Sequence, residues 1–168
     1  MKNQLFDLTK KVSLITGGNG GIGLGMAKGL ASCGSDIAII GRNINKNSKA
    51  KEELSEFDVR VETYSIDVSN EEDVKKTVLN VVNDFGRIDA VFANAGMNLY
   101  GGSFEDMDTD VYRKVLAVNL DGVFFTLREV CKHMVERAKK GDPGGSIVGV
   151  ASLAGIAVSY THLTLPTS

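Results

Sequence analysis

The chain is poor in cysteine: only Cys33 and Cys131 occur in 168 residues, far apart, with neither a CxxC pairing nor metal-ligand spacing to His133 or His162. This argues against a disulfide scaffold and against a metal centre, and both side chains are read as reduced thiols in packed helices. An excess of one charge is also missing. Nineteen Lys and Arg face twenty-one Asp and Glu, for a net charge of -2, so no broad basic field exists to attract nucleic acid or an anionic membrane. No apolar run approaches the roughly 20 residues that cross a bilayer. The opening MKNQLFDLTKK lacks the apolar stretch of a signal peptide. These absences predict a cytoplasmic protein with neither nucleic-acid nor membrane partners. One further absence is local: Val158 to Ser168 contains no Asp, Glu, Lys or Arg.

Glycine, by contrast, is abundant. Nineteen glycines cluster at 17–25, 96–102 and 141–155, beside apolar runs. Such clusters suggest strands that end in tight turns where something approaches the backbone. Short apolar strands alternate with helices along the chain: KVSLIT, DIAII, RVETYSI, IDAVFA and SIVGVAS are the strands. Between them, GIGLGMAKGLASCG is predicted as a helix with Ile22, Met26, Leu30 and Cys33 on its buried face and Gly34 as its stop. An exposed helix is expected over about Lys46 to Glu56. SNEEDVKKTVLNVVNDFG is predicted as a helix with a capping box from Ser69 to Glu72 and Gly86 at its end. A single long helix is expected from about Asp110 to Lys139. Strands apolar throughout, separated by helices, imply a doubly wound parallel α/β sheet of Rossmann type, covered on both faces.

TGGNGGIG, Thr16 to Gly23, falls between the first strand and the first helix, where a dinucleotide pyrophosphate would meet a helix N-terminus. The loop fits three patterns: GxGxxG at Gly18, Gly20 and Gly23, TGxxGxxG through Gly20, and TGxxxGxG through Thr16, Gly17, Gly21 and Gly23. The second strand ends IIGRN. An acidic residue there would read the ribose hydroxyls of NAD, whereas an Arg would grip the extra phosphate of NADP. Gly41 followed by Arg42 therefore predicts NADP, with NAD possible.

Taken in order, TGGNGGIG, IDVS, ANAG, VNLDGVFF and GGSIVGVASLAG resemble a classical short-chain dehydrogenase/reductase, from about Phe6 to Ala157. The resemblance favours TGxxxGxG and implies a hydride transfer between a nicotinamide cofactor and a secondary alcohol or ketone. It assigns cofactor contacts to Thr16, Gly17, Gly18, Asn19, Gly21, Ile22 and Gly23, to Arg42 and Asn43, to Asp67 and Val68, and to Asn94, Ala95 and Gly96. Asp67 is equally readable as the loop residue before the Ser69 cap. Asn119 lies four residues from both Val115 and Val123, on the apolar stripe of the long helix, so its amide is expected to be buried and to need a partner. That partner is either the helix's own backbone or, as the resemblance implies, a disturbed helix holding a water in a proton relay. Ser152, after the fifth strand, matches the serine that hydrogen-bonds the substrate oxygen.

The family's proton-exchanging Tyr, with a Lys four residues later to lower its pKa, would lie about a dozen residues beyond Ser152. Leu165 occupies that place, and Tyr160 comes too early and has Thr164 four residues on. VSYTHLTLPT is similar to the translation of transposase adaptor DNA. Residues 158–168 are therefore expected to be a non-native tail, and 1–157 the N-terminal part of a single NAD(P)-binding domain, with the first five strands. The parent protein is expected to be a homo-oligomer, and this chain to bind cofactor weakly without turnover. FDLTKKVSLITGG is similar to both gluconate-type sugar-acid dehydrogenases and 3-oxoacyl-carrier reductases, leaving the small-molecule substrate open. The alternatives are a non-catalytic NADP sensor and, less consistent with ANAG, a nucleotide-sugar epimerase.

Overall fold

The computed structural model describes residues 6–98 and 105–152. Five strands form one parallel sheet: β1 (Val12–Thr16), β2 (Asp36–Ile40), β3 (Val61–Tyr64), β4 (Ala90–Ala93) and β5 (Ser146–Gly149), in the order β3-β2-β1-β4-β5. The alternation along β1 and β2 explains why these strands read as continuously apolar. Leu14, Ala38 and Ile40 enter one core with Val74, Val81 and Val130, while Ile15, Ile37 and Ile39 enter a second with Ala27, Ala31 and Leu54. Each face of the sheet is thus covered by helices, the Rossmann-type architecture expected. The strand order reverses at β1, whose two neighbours are β2 and β4, and their C-terminal ends open a crevice between them.

The first helix, α1 (Gly21–Ser32), differs from the sequence expectation. Its buried residues are Gly23, Ala27 and Ala31, whereas Ile22 is 71% exposed, Met26 and Leu30 are half-buried, and Cys33 is the C-cap. The small residues won the buried face because they let the helix axis lie close to the sheet. Helix α2 (Ile44–Leu54) starts two residues earlier than expected and buries Asn47, Ala50 and Leu54. In α3 (Glu71–Phe85) the cap is Asn70, whose side chain accepts from the Asp73 N–H at 3.2 Å, and not the Ser69 box. Ser69 turns back instead, donating both its N–H and its hydroxyl to Asp67 Oδ1 at 3.0 and 2.8 Å. Gly86 closes α3 in the left-handed conformation, as expected.

The long helix is three pieces: α4 (Thr109–Leu116), a π-helical turn (Ala117–Asp121) and α5 (Gly122–Lys139). Strand β5 is paired on one side only among the described residues, and all four of its residues are exposed. Cys131 is exposed on α5 rather than packed. The pole of the sheet opposite the crevice is tied by charge. Asp89 accepts from the Val12 N–H at 3.0 Å and from Arg87 at 2.6 Å, while Arg137, 9% exposed, donates to the Ile88 carbonyl at 2.7 Å. The Ile88 N–H in turn donates to His133 Nε2 at 3.2 Å. The segment 158–168, with its expected foreign origin, and Tyr160 and Leu165 lie outside the described residues.

Candidate functional site

The crevice holds a cleft of about 460 Å³. Its floor is the glycine turn between β1 and α1. Gly17 carries a positive φ of 67°, which reverses the chain out of the strand. Gly23, in the first turn of the helix, is a site of forced contact: a Cβ there would stand 2.3 Å from the Gly17 carbonyl oxygen and 2.6 Å from Asn94 Nδ2. Only glycine lets the helix begin this close to the strand. The N-terminus of α1 has no side-chain cap and no acidic residue in its first turn. Its orphan N–H groups and positive dipole end are thus left for an anion in the cleft.

One wall comes from the end of β2 and the start of α2: Ile40, Gly41, Arg42, Asn43 and Lys46. No carboxylate stands on this wall. Arg42 Nη1 reaches Asp67 Oδ2 at 3.4 Å across the cleft mouth, with both side chains substantially exposed, so the pair is weak and the guanidinium is available. The opposite wall is Ile66, Asp67 and Val68 after β3. Burial opposes ionisation of Asp67, but the Ser69 N–H and hydroxyl, then the Arg42 charge, outweigh it and hold the carboxyl below the usual range. Asp67 thus lines the cleft and also organises the turn before α3.

The inner end is Asn94, Ala95 and Gly96, beyond β4. The Thr16 hydroxyl accepts from the N–H groups of Asn94 and Ala95 at 3.0 and 2.9 Å, and the Asn94 amide donates to the Thr16 carbonyl at 3.0 Å. These bonds weld the β4 turn to the glycine turn. Two expected lining residues act from behind the surface. Thr16, 2% exposed, works through these bonds, and Gly18 is pressed against Ile15 and Ile39 of the core. Asn119 is exposed rather than buried, and its partner is not its own helix. It accepts from the Met97 N–H at 2.8 Å and donates to the Met97 carbonyl at 2.9 Å, a two-bond clasp from the π turn to the segment that follows β4. The helical disturbance at this residue is therefore present. Ser152 lies at the C-terminal end of β5, on the crevice side of the sheet, but is not in the cleft lining.

Several residues of the cleft were not among the predicted contacts, Ile40, Gly41, Ile66 and Val118 among them. Gly20 lines the turn, and Lys46 adds a second cation beside Arg42. Asn47, 2% exposed, donates to the Gly41 carbonyl at 2.9 Å and accepts from the Asn19 amide at 2.6 Å. Lys46 was findable as the fourth residue after Arg42 on a helix beginning at Ile44. Asn47 had no sequence signal, because its environment is created by three separate segments.

A glycine-rich strand-to-helix turn at the switch point of a parallel sheet, with an uncapped helix start and two cations on the neighbouring wall, defines a dinucleotide-binding α/β domain. The chain belongs to the short chain dehydrogenase family, whose model matches residues 11–165. It is 35% identical over 153 residues to a sorbose reductase of Schizosaccharomyces pombe, covering 90% of this chain and 58% of that protein. It is 36% identical over 160 residues to an NADP-dependent mannitol dehydrogenase of Hypocrea jecorina, covering 93% and 58%. The crystal structure of NAD+-bound xylitol dehydrogenase superposes with a TM-score of 0.80 at 39% identity, covering 89% of this chain and 55% of that one. The chain thus spans a little over half the length of these relatives. Among the described residues no helix is long and apolar enough to cross a membrane.

Proposed function

We propose that the chain carries the cofactor-binding part of an NADP(H)-dependent oxidoreductase that moves a hydride between the nicotinamide and a secondary alcohol or ketone of the sugar-alcohol class. The substrate class rests on the relatives named sorbose reductase and mannitol dehydrogenase, and departs from the sugar-acid and 3-oxoacyl substrates that the opening segment suggested. Relatives differ in cofactor, NADP for one and NAD+ for another, so the choice falls on this chain's own residues. The observation that carries it is the wall after β2, where Gly41 offers no carboxylate and Arg42 and Lys46 supply two cations.

The residues suit the dinucleotide. The α1 N-terminus with Gly17, Asn19, Gly21, Ile22 and Gly23 would take the diphosphate; Arg42, Asn43 and Lys46 the 2′-phosphate; Asp67 and Val68 the adenine; and Asn94, Ala95 and Gly96 the nicotinamide half. Bound there, the cofactor supplies or accepts the hydride. Thr16 and Asn119 act by fixing the two turns that shape the cleft, and Ser152 would donate a hydrogen bond to the substrate oxygen. The described tyrosines, Tyr64 and Tyr112, do not line the cleft, so no proton donor is assigned among the described residues. As part of this proposal, the 168-residue chain binds cofactor weakly and without turnover. Arg42→Ala should weaken NADPH about tenfold, the loss of one charge-assisted phosphate contact at a partly exposed site. An unchanged NADPH dissociation constant removes the NADP assignment, and NADPH-dependent ketone reduction by the purified chain removes the claim of inactivity.

A further inference from the structure

Position 41 directly follows β2 at the cofactor wall, and its glycine is flanked by two asparagines from different segments. A Cβ on Gly41 would lie 2.2 Å from Asn19 Nδ2 and 2.7 Å from Asn47 Oδ1. These atoms are the two ends of one hydrogen bond, 2.6 Å long, between the glycine turn and α2. Asn47 has little room to shift while Asn19 holds its Oδ1. It is 2% exposed, its amide is committed to the Gly41 carbonyl at 2.9 Å, and Ser65 completes the cluster at 3.4 Å. The space that a side chain at 41 would need is therefore filled by a bridge that also fixes the phosphate-binding turn.

We infer that Asn47 and Asn19 are specificity-determining positioning residues: their bridge keeps position 41 free of any side chain, and so leaves cofactor choice to the cations of Arg42 and Lys46. This rests on the cleft being a dinucleotide site. A carboxylate at 41, the usual reader of ribose hydroxyls, is excluded by packing as much as by charge. Installing one by itself should break the bridge and disturb the turn used by both cofactors, rather than convert the chain to NAD.

The test is a double-mutant cycle of Gly41→Ala and Asn19→Gly in the whole chain, read as NADH dissociation constants by nicotinamide fluorescence, with folding checked by circular dichroism. Gly41→Ala adds a methyl and no charge. It should weaken NADH about tenfold in the parent background and less than about threefold once Asn19 is glycine. Equal effects in both backgrounds overturn the inference. Gly41→Asp is the second arm. It should weaken both cofactors when introduced alone, and move preference toward NADH only when combined with Asn19→Gly; a clean switch by Gly41→Asp alone also overturns it. Because NADH carries no 2′-phosphate, the cycle stands or falls separately from the Arg42 assignment. Asn19 sits in a partly exposed turn, so its removal leaves the core intact.

Discussion

Replacing Thr16 by Val tests the weld between the two turns. The side chain keeps its shape, and the hydroxyl is lost. That hydroxyl accepts from two backbone N–H groups, of Asn94 and Ala95, and donates to the Phe92 carbonyl at 3.5 Å. The last bond is long and contributes little. Each stranded N–H costs about 1–3 kcal/mol when buried, and these sites are partly buried, so the total is taken as about 2–4 kcal/mol. For a chain of this length that corresponds to a fall in melting temperature of roughly 5–15 °C. Urea and thermal unfolding monitored by circular dichroism would read it directly. Thr16→Ser is the control: it retains the oxygen and loses one methyl, about 1 kcal/mol. A Val variant within about 0.5 kcal/mol of the parent, or a Ser variant as unstable as the Val, would refute the claim that the hydroxyl holds the β4 turn.

Gly23→Ala should abolish measurable cofactor binding while leaving helical content nearly unchanged, since the methyl would meet the Gly17 carbonyl at 2.3 Å and force the helix start away from the turn; retained affinity by fluorescence titration would contradict this. Stability should fall with acid in two windows. His133 is held neutral first by burial and then by the Arg137 charge, and its Nε2 accepts from Ile88, so its pKa lies below 6.5 in the fold. Its contribution is complete above the unfolded value and disappears as pH drops through the lower folded one, a dependence that His133→Gln should remove. Asp89 follows at lower pH. Burial opposes its charge, but the Arg87 bonds, the Val12 N–H and the charges of Arg87 and Lys11 outweigh it, so its stabilisation is complete above 3.8 and is lost as pH falls through the depressed value. Asp89→Asn should therefore destabilise at pH 7 by about 2–4 kcal/mol, because Arg87 loses its paired carboxylate and Arg137 a contact at 3.3 Å; no change in the urea midpoint would contradict it.

Strands β1 and β2 were legible because each is buried and largely apolar on both faces, and the sheet order follows once a parallel, doubly wound arrangement is assumed. The glycine turn, Arg42, Asp67 and the Asn94 turn were legible as local motifs, and they do converge on one cleft. What escaped was set by tertiary geometry. The buried face of α1 was misread because hydrophobicity favours Ile22 and Met26, whereas closeness to the sheet favours Gly23 and Ala27. The α3 cap moved by one residue because Ser69 had a better partner in Asp67. Asn119 was read as a buried amide from its place on the apolar stripe. The clasp to Met97 and the π turn instead leave its amide bonded yet exposed. Asn47 looked like one polar residue among several on a surface helix, and only the meeting of Asn19, Gly41 and Ser65 makes it a buried junction.

Calorimetric titration of the purified chain with NADPH and with NADH is the most direct test of the cleft's assignment. NADPH should bind about tenfold more tightly than NADH, with the difference erased by Arg42→Ala. Failure to bind either nucleotide, or a preference for NADH that survives in the Arg42 variant, would contradict the account.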